Sequence, residues 1–144
     1  MKLFTIGFTK KSAERFFNLL RNAGVKRVID TRLNRKSQLA GFAKETDLPF
    51  LLREICHVDY FQEPLTAPTD DILRAYKGKN IDWAEYERRF KDLIATRHIE
   101  DKLTRERFDS ACLLCSEDKP HQCHRRLVAE YLKDKWGEIQ IVHL

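Results

Sequence analysis

The chain has 144 residues, and 27 Lys+Arg against 22 Asp+Glu leave a formal net charge of +5. That length suits one domain of about 100–150 residues, and 42% hydrophobic residues can close a core without disulfides or metal. No apolar run approaches the ~20 residues that cross a bilayer, and Lys2, Lys10 and Lys11 interrupt any signal-peptide core, so the expectation is a soluble, cytoplasmic protein. In chain order, Leu3 to Ile6 reads as a first strand stopped at Gly7. A helix follows, with Ser12 as N-cap, an apolar stripe of Phe16, Leu19, Leu20 and Ala23, and Gly24 as a left-handed stop. Val28 and Ile29 centre a second strand that ends near Asp30-Thr31-Arg32.

A basic loop spans Leu33 to Thr46. A short helix from Asp47 then turns Leu48, Leu51, Leu52 and Ile55 inward, with Pro49 in its first turn. His57 to Phe61 is a third strand, and Pro64 and Pro68 bracket the loop after it. A helix capped at Thr69 or Asp70 runs to Gly78, and Asp82 with Glu85 forms a variant capping box for a long helix carrying Trp83, Phe90, Leu93 and Ile94. Ala111 to Cys115 is the clearest buried strand. After Pro120, a helix from about Gln122 buries Leu127, Val128, Tyr131 and Leu132 and stops at Gly137, and Ile139 to Leu144 is the last strand. Strands alternating with helical crossovers predict a single α/β domain over 1–144. Its sheet is expected to be mostly parallel and doubly wound, with about five strands and helices on both faces.

Open α/β sheets bind ligands beyond the carboxyl ends of their strands. In this chain those ends carry Gly7 and Thr9, then Asp30 and Arg32, then Cys115 and Glu117, followed by Cys123, His124 and Arg125 at a helix start. Gly7 admits close approach of backbone N–H groups, and Thr9 adds a hydroxyl. Asp30 and Arg32 share a side by the period of two, which serves either a salt bridge or a ribose contact. Arg125 and Arg126 sit where a helix dipole disfavours cations, which points to a bound anion or to pairing with Glu117 or Asp118. Cys115, Glu117 and His124 combine thiol, carboxylate and imidazole, the groups of nucleophilic and acid–base chemistry.

The cysteines number four, Cys56, Cys112, Cys115 and Cys123, three of them within twelve positions. Without an export signal, free thiols are expected. Cys112-Leu113-Leu114-Cys115 resembles a metal hook, but residues three apart on a strand face opposite sides, so Cys112 is assigned to the core. A metal site, if one is present, uses Cys115, Cys123 and His124. The same cysteines could instead form a redox pair. Tyr76, Trp83 and Tyr86 are expected at the core or its rim.

Several segments together resemble the domain of unknown function 488 family of prokaryotic proteins: Thr5-Ile6-Gly7-Phe8-Thr9, Asp30-Thr31-Arg32-Leu33-Asn34, Ser37 with Gly41-Phe42, Leu65-Thr66-Ala67-Pro68-Thr69, and Cys115-Ser116-Glu117 with Cys123-His124-Arg125-Arg126. The resemblance runs almost end to end and implies one compact α/β domain. It adds Ser37 to the ligand-binding set and supplies no reaction. Many members carry valine where Thr31 stands and a Leu-Gly-Gly run where this chain has Leu65-Thr66-Ala67.

The expected function is a phosphate or other anion site for a nucleotide or a nucleic-acid end. Its ligand-binding residues are Gly7, Thr9, Asp30, Arg32, Ser37, Cys123 and Arg125, and its chemical groups are Cys115, Glu117 and His124. A metal or redox site at Cys115, Cys123 and His124 is the first alternative, and a non-catalytic nucleic-acid-binding module, motivated by the charge, is the second. No cofactor and no oligomeric state follow from these residues.

Overall fold

The computed structural model describes residues 1–35 and 40–144. Ser37, one of the expected ligand-binding residues, lies outside them. Five strands, β1 (Lys2–Gly7), β2 (Arg27–Asp30), β3 (Asp59–Gln62), β4 (Ala111–Cys115) and β5 (Gln140–His143), form one sheet in the order β3-β2-β4-β1-β5. Every neighbouring pair is parallel, as helical connections require. The helices are α1 (Ala13–Ala23), α2 (Leu48–Leu51), α3 (Asp70–Lys77), α4 (Trp83–Thr96), α5 (Ile99–Lys102), α6 (Arg105–Phe108) and α7 (His124–Trp136). Among the described residues, no helix is long and apolar enough to cross a membrane.

The strand period of two distributes the core. Leu3, Ile29, Ala111 and Leu113 pack with Phe90 and Ile94 of α4 and with Leu127, Val128 and Leu132 of α7. The alternate residues Phe4, Ile6, Val28, Cys112 and Leu114 pack with Phe16, Phe17 and Leu20 of α1 and with Leu48 and Leu52. β4 lies at the middle of the sheet and is buried at all five positions, so it reads as a continuous apolar run rather than an alternating one. Cys112 is in the core as expected, and burial pushes its thiol well above the usual range.

Local signals position the ends. The Ser12 side chain accepts from the Arg15 N–H at 3.1 Å, and Gly24 closes α1 at φ 76°. The Asp82 side chain accepts from the Glu85 N–H at 2.9 Å and caps α4. Other boundaries move. β3 begins at Asp59 rather than His57, because His57 is left-handed (φ 57°) and ends a wide helical turn over Leu52–Cys56. That wider turn shifts the facing, so Leu52 stays buried while Ile55 is exposed. α7 starts at His124, with Cys123 as its N-cap. Tyr131 is only half-buried, and its hydroxyl donates to Glu100 at 2.7 Å. β5 is confined to Gln140–His143, shorter at each end than expected. The one-turn helices α5 and α6 are too short to show an amphipathic period in sequence.

Candidate functional site

The register brings the carboxyl ends of three strands together: Gly7 stands beside Cys115, and Asp30 beside Leu114. The loop from Ser116 leads from β4 to the start of α7 and is fastened to β1. Thr9 donates to the Ser116 carbonyl through its N–H at 3.1 Å and its hydroxyl at 2.8 Å. A Cβ at Gly7 would lie 1.6 Å from the Glu117 carbonyl oxygen. The need for glycine there is close backbone approach. Arg125, with no exposed surface, donates to the Glu117 carbonyl and, at 3.1 Å, to the Asp118 carbonyl. Lys11 pairs with Asp118 at 2.7 Å. Gly7, Thr9 and Arg125, three of the expected anion binders, are thus engaged in holding this loop.

At the end of β2, Asp30 and Arg32 form a buried two-pronged ion pair. Asp30 Oδ1 accepts from Arg32 Nε at 2.9 Å, and Oδ2 accepts from Arg32 Nη2 at 2.8 Å and also from the Tyr60 hydroxyl. Burial, together with the Asp30 charge, drives the Tyr60 hydroxyl well above its usual range. Burial opposes the charge on Arg32, but the Asp30 hydrogen bond and charge outweigh it, so the guanidinium is held more firmly protonated. Arg32 Nη2 also reaches the Ala43 carbonyl at 2.7 Å, and the guanidinium lies over Phe8, 5.2 Å from the ring centroid. Arg32 Nη1, buried, has no hydrogen-bond partner among the described residues.

Between these two anchors sits His124, the first residue of α7 and 7% exposed. Its Nε2 lies 2.8 Å from the Thr31 carbonyl and 3.0 Å from the Thr31 hydroxyl oxygen. That hydroxyl donates its own proton to the Leu114 carbonyl at 2.7 Å. A carbonyl only accepts, so Nε2 must carry the proton. Nδ1 is thereby turned to Cys115 Sγ, 3.7 Å away. Burial resists a charge on Cys115, but hydrogen bonding from Cys123 and the His124 imidazolium overcome it and hold the thiol well below its usual range. Burial likewise disfavours charge on His124, and the Cys115 thiolate reverses this and raises it. Burial first, then the Cys115 neighbour, keep Cys123 protonated. These directions favour a thiolate–imidazolium pair with a neutral thiol beside it.

The pair opens on a cavity of about 160 Å³, lined by Arg32, Cys115, Glu117, Cys123 and His124 on one side and by Tyr76, Trp83 and Tyr86 of α3 and α4 on the other. Trp83 stacks on Tyr86 with centroids 5.1 Å apart, so the aromatic wall is a preformed rim. Glu117 is exposed and enters from the loop beyond the end of β4. Of the expected residues, the structure therefore gathers Arg32, Cys115, Glu117, Cys123 and His124 at the cavity. Asp30 stands behind Arg32, and Gly7, Thr9 and Arg125 stand behind the loop. Thr31 and Tyr60 are the residues missed: a threonine just past β2 and a tyrosine within β3 carry no spacing signal until strand neighbours are known.

The donor atoms of Cys115, Cys123 and His124 all lie within 4.8 Å of one another, a spacing that could hold one metal ion. The Nε2–H bond to a backbone carbonyl would then orient the histidine ligand. Cys112 cannot join them, since it belongs to the opposite face. Over residues 12–132 the chain matches the family described as Domain of unknown function DUF488, and it belongs to that family. No curated protein and no solved structure matches it.

Proposed function

We propose that the cavity binds a small ligand carrying a phosphate or comparable anion and that Cys115 attacks it as a nucleophile. The supporting observation is the Cys115–His124 pair, whose tautomer the Thr31 carbonyl dictates. Nε2–H stays on that carbonyl while Nδ1–H faces the reacting sulfur and can protonate a leaving group. Arg32 Nη1 is the anion donor, held in place by Asp30 through the other guanidinium nitrogens. Glu117 lines the same cavity and serves as a second acid–base group. Apolar cavities near 150 Å³ hold a single ring. The site therefore encloses a phosphate or one ring, and the rest of a nucleotide or nucleic-acid end projects outward.

Alkylation tests this. Peptide mapping after brief exposure to iodoacetamide should show Cys115 modified first and at slightly acidic pH, where an ordinary thiol near 8.5 is mostly protonated. Iodoacetate, which carries a carboxylate, should gain on iodoacetamide in the wild type and lose that advantage in Arg32→Lys, which keeps charge but not the planar fork. A Cys115 no more reactive than an ordinary thiol overturns the reading. The convergence of three donors within 4.8 Å favours a second reading, a metal centre at Cys115, Cys123 and His124. Stoichiometric zinc in elemental analysis would select it.

A further inference from the structure

Cys123 is a buried thiol that hydrogen-bonds Cys115 but to which the nucleophilic reading assigns no chemical step. It is 2% exposed and caps α7. Caps favour Ser, Thr, Asn or Asp, whose oxygen is the better acceptor, so helix capping does not call for sulfur. Core packing does not call for it either. Cys112 belongs to an apolar cluster, whereas among the described residues Cys115 and Cys123 belong to neither. What Cys123 does have is position: its sulfur lies within 4.8 Å of the Cys115 sulfur and of a His124 ring nitrogen, and both cysteines line the cavity. The remaining cysteines are elsewhere, Cys112 on the opposite face and Cys56 with its thiol toward the Phe17 carbonyl at 3.4 Å.

We infer that Cys123 is the resolving thiol for Cys115, and that the chain reduces small hydroperoxides through an internal Cys115–Cys123 disulfide. The inference rests on the reactive Cys115 proposed above and adds an oxidant and a second sulfur. The Cys115 thiolate attacks the terminal oxygen of a hydroperoxide. An S–O bond forms, the O–O bond breaks, sulfur loses two electrons, and the departing alkoxide takes the His124 Nδ1 proton to leave as an alcohol. The Cys123 sulfur then attacks the Cys115 sulfenic acid. The S–S bond forms, the S–O bond breaks, and hydroxide leaves as water with the Cys123 proton. Two equivalents of a small thiol, or one dithiol, return both cysteines by exchange. A cavity of about 160 Å³ admits a small hydroperoxide to both sulfurs, and closing the bond requires the sulfurs to approach to about 2.05 Å.

The test uses the full chain with Cys56→Ser, which removes the half-buried thiol from intermolecular exchange. The reduced protein receives a stoichiometric amount of cumene hydroperoxide at neutral pH and is then blocked with N-ethylmaleimide and mapped without reduction. The expected result is a Cys115–Cys123 linked peptide, one cumyl alcohol per disulfide, and full recovery with dithiothreitol. Cys123→Ser should still consume peroxide but halt at a dimedone-trappable Cys115 sulfenic acid. Cys115→Ser should slow consumption by at least about tenfold, to the level of an unactivated thiol. A wild-type chain that accumulates Cys115 sulfenic or sulfinic acid while Cys123 remains free overturns the inference, and so does one equivalent of metal bound to these residues on purification. Iodoacetamide labelling of the same samples separates the two proposals. Rapid Cys115 alkylation without a disulfide sinks only this one, and an inert Cys115 that neither alkylates nor oxidises sinks both.

Discussion

The backbone carbonyl of Thr31 acts on Cys115 only through the histidine ring that it orients. By accepting from Nε2 of His124 at 2.8 Å, it leaves Nδ1 as the nitrogen that meets sulfur. His124→Gln keeps a polar side chain of similar reach and removes the imidazolium. With that counter-charge gone, the Cys123 hydrogen bond and the Arg125 charge are left to oppose burial, and the Cys115 thiol rises. The expected outcome is a pH–alkylation profile displaced to alkaline pH, with a loss of about tenfold or more in rate at neutral pH, while thermal unfolding stays cooperative. Thr31→Val is the complementary case. It deletes the hydroxyl that binds the Leu114 carbonyl at 2.7 Å but leaves the backbone carbonyl in place. The alkylation profile should therefore stay where it is, and stability should fall by about 1 kcal/mol, the net worth of one hydrogen bond. If Thr31→Val displaces the profile as His124→Gln does, the hydroxyl, not the carbonyl, sets the tautomer.

At the scale of elements, the β4–α7 connection shows what sequence can and cannot disclose. The buried run Ala111–Cys115, the cap signals at Ser12 and Asp82, and the strand–helix alternation follow from periodicity and turn chemistry, and they place Gly7, Asp30 and Cys115 at one edge of the sheet before any coordinate is known. The role of Arg125 does not follow. A cation at the start of a helix signals a conflict, and a bound anion and an acidic partner are equally good resolutions on paper. The structure resolves it with the main-chain carbonyls of Glu117 and Asp118, and main-chain acceptors in a loop have no signature in side-chain sequence. Arg126 beside it pairs instead with Glu130 at 3.1 Å and Glu87 at 3.3 Å. Likewise the glycine of β1 looks like a ligand cradle, yet its missing Cβ is filled by the Glu117 carbonyl. Gly7→Ala is expected to destabilise the fold by about 3 kcal/mol or more, because both clashing partners are backbone and neither strand nor loop can give way without loss of its hydrogen bonds. Urea unfolding midpoints measure this, and a midpoint within error of wild type would mean that the loop is free to lift from β1.

For the molecule as a whole, the buried pair ties folding to pH on both sides of neutrality. Cys115 has its affinity for protons lowered by folding, so its contribution is fully present above the unfolded thiol value of about 8.5 and is lost as pH falls toward its folded value. His124 has its proton affinity raised. Its contribution is fully present below the unfolded imidazole value of about 6.5 and is lost as pH rises through its folded value. Where the two windows overlap, the folded state has moved one proton from sulfur to nitrogen with no net uptake, and the slopes cancel. Stability is therefore expected to be flat around neutral pH. It should decline toward acid, where the unfolded chain binds the extra proton on sulfur, and toward base, where the folded chain alone retains the proton on imidazole. Cys115→Ser removes the acid-side decline that belongs to the thiol. It also removes the counter-charge that raises His124, so burial takes over and its proton affinity drops. That variant should lose stability as pH falls through the unfolded imidazole value, as the wild type does, but it should stay level above the unfolded thiol value, where the wild type declines. Urea midpoints for both proteins across this range measure the difference. Parallel curves at every pH would mean that the folded cavity does not hold the imidazole proton through the thiolate.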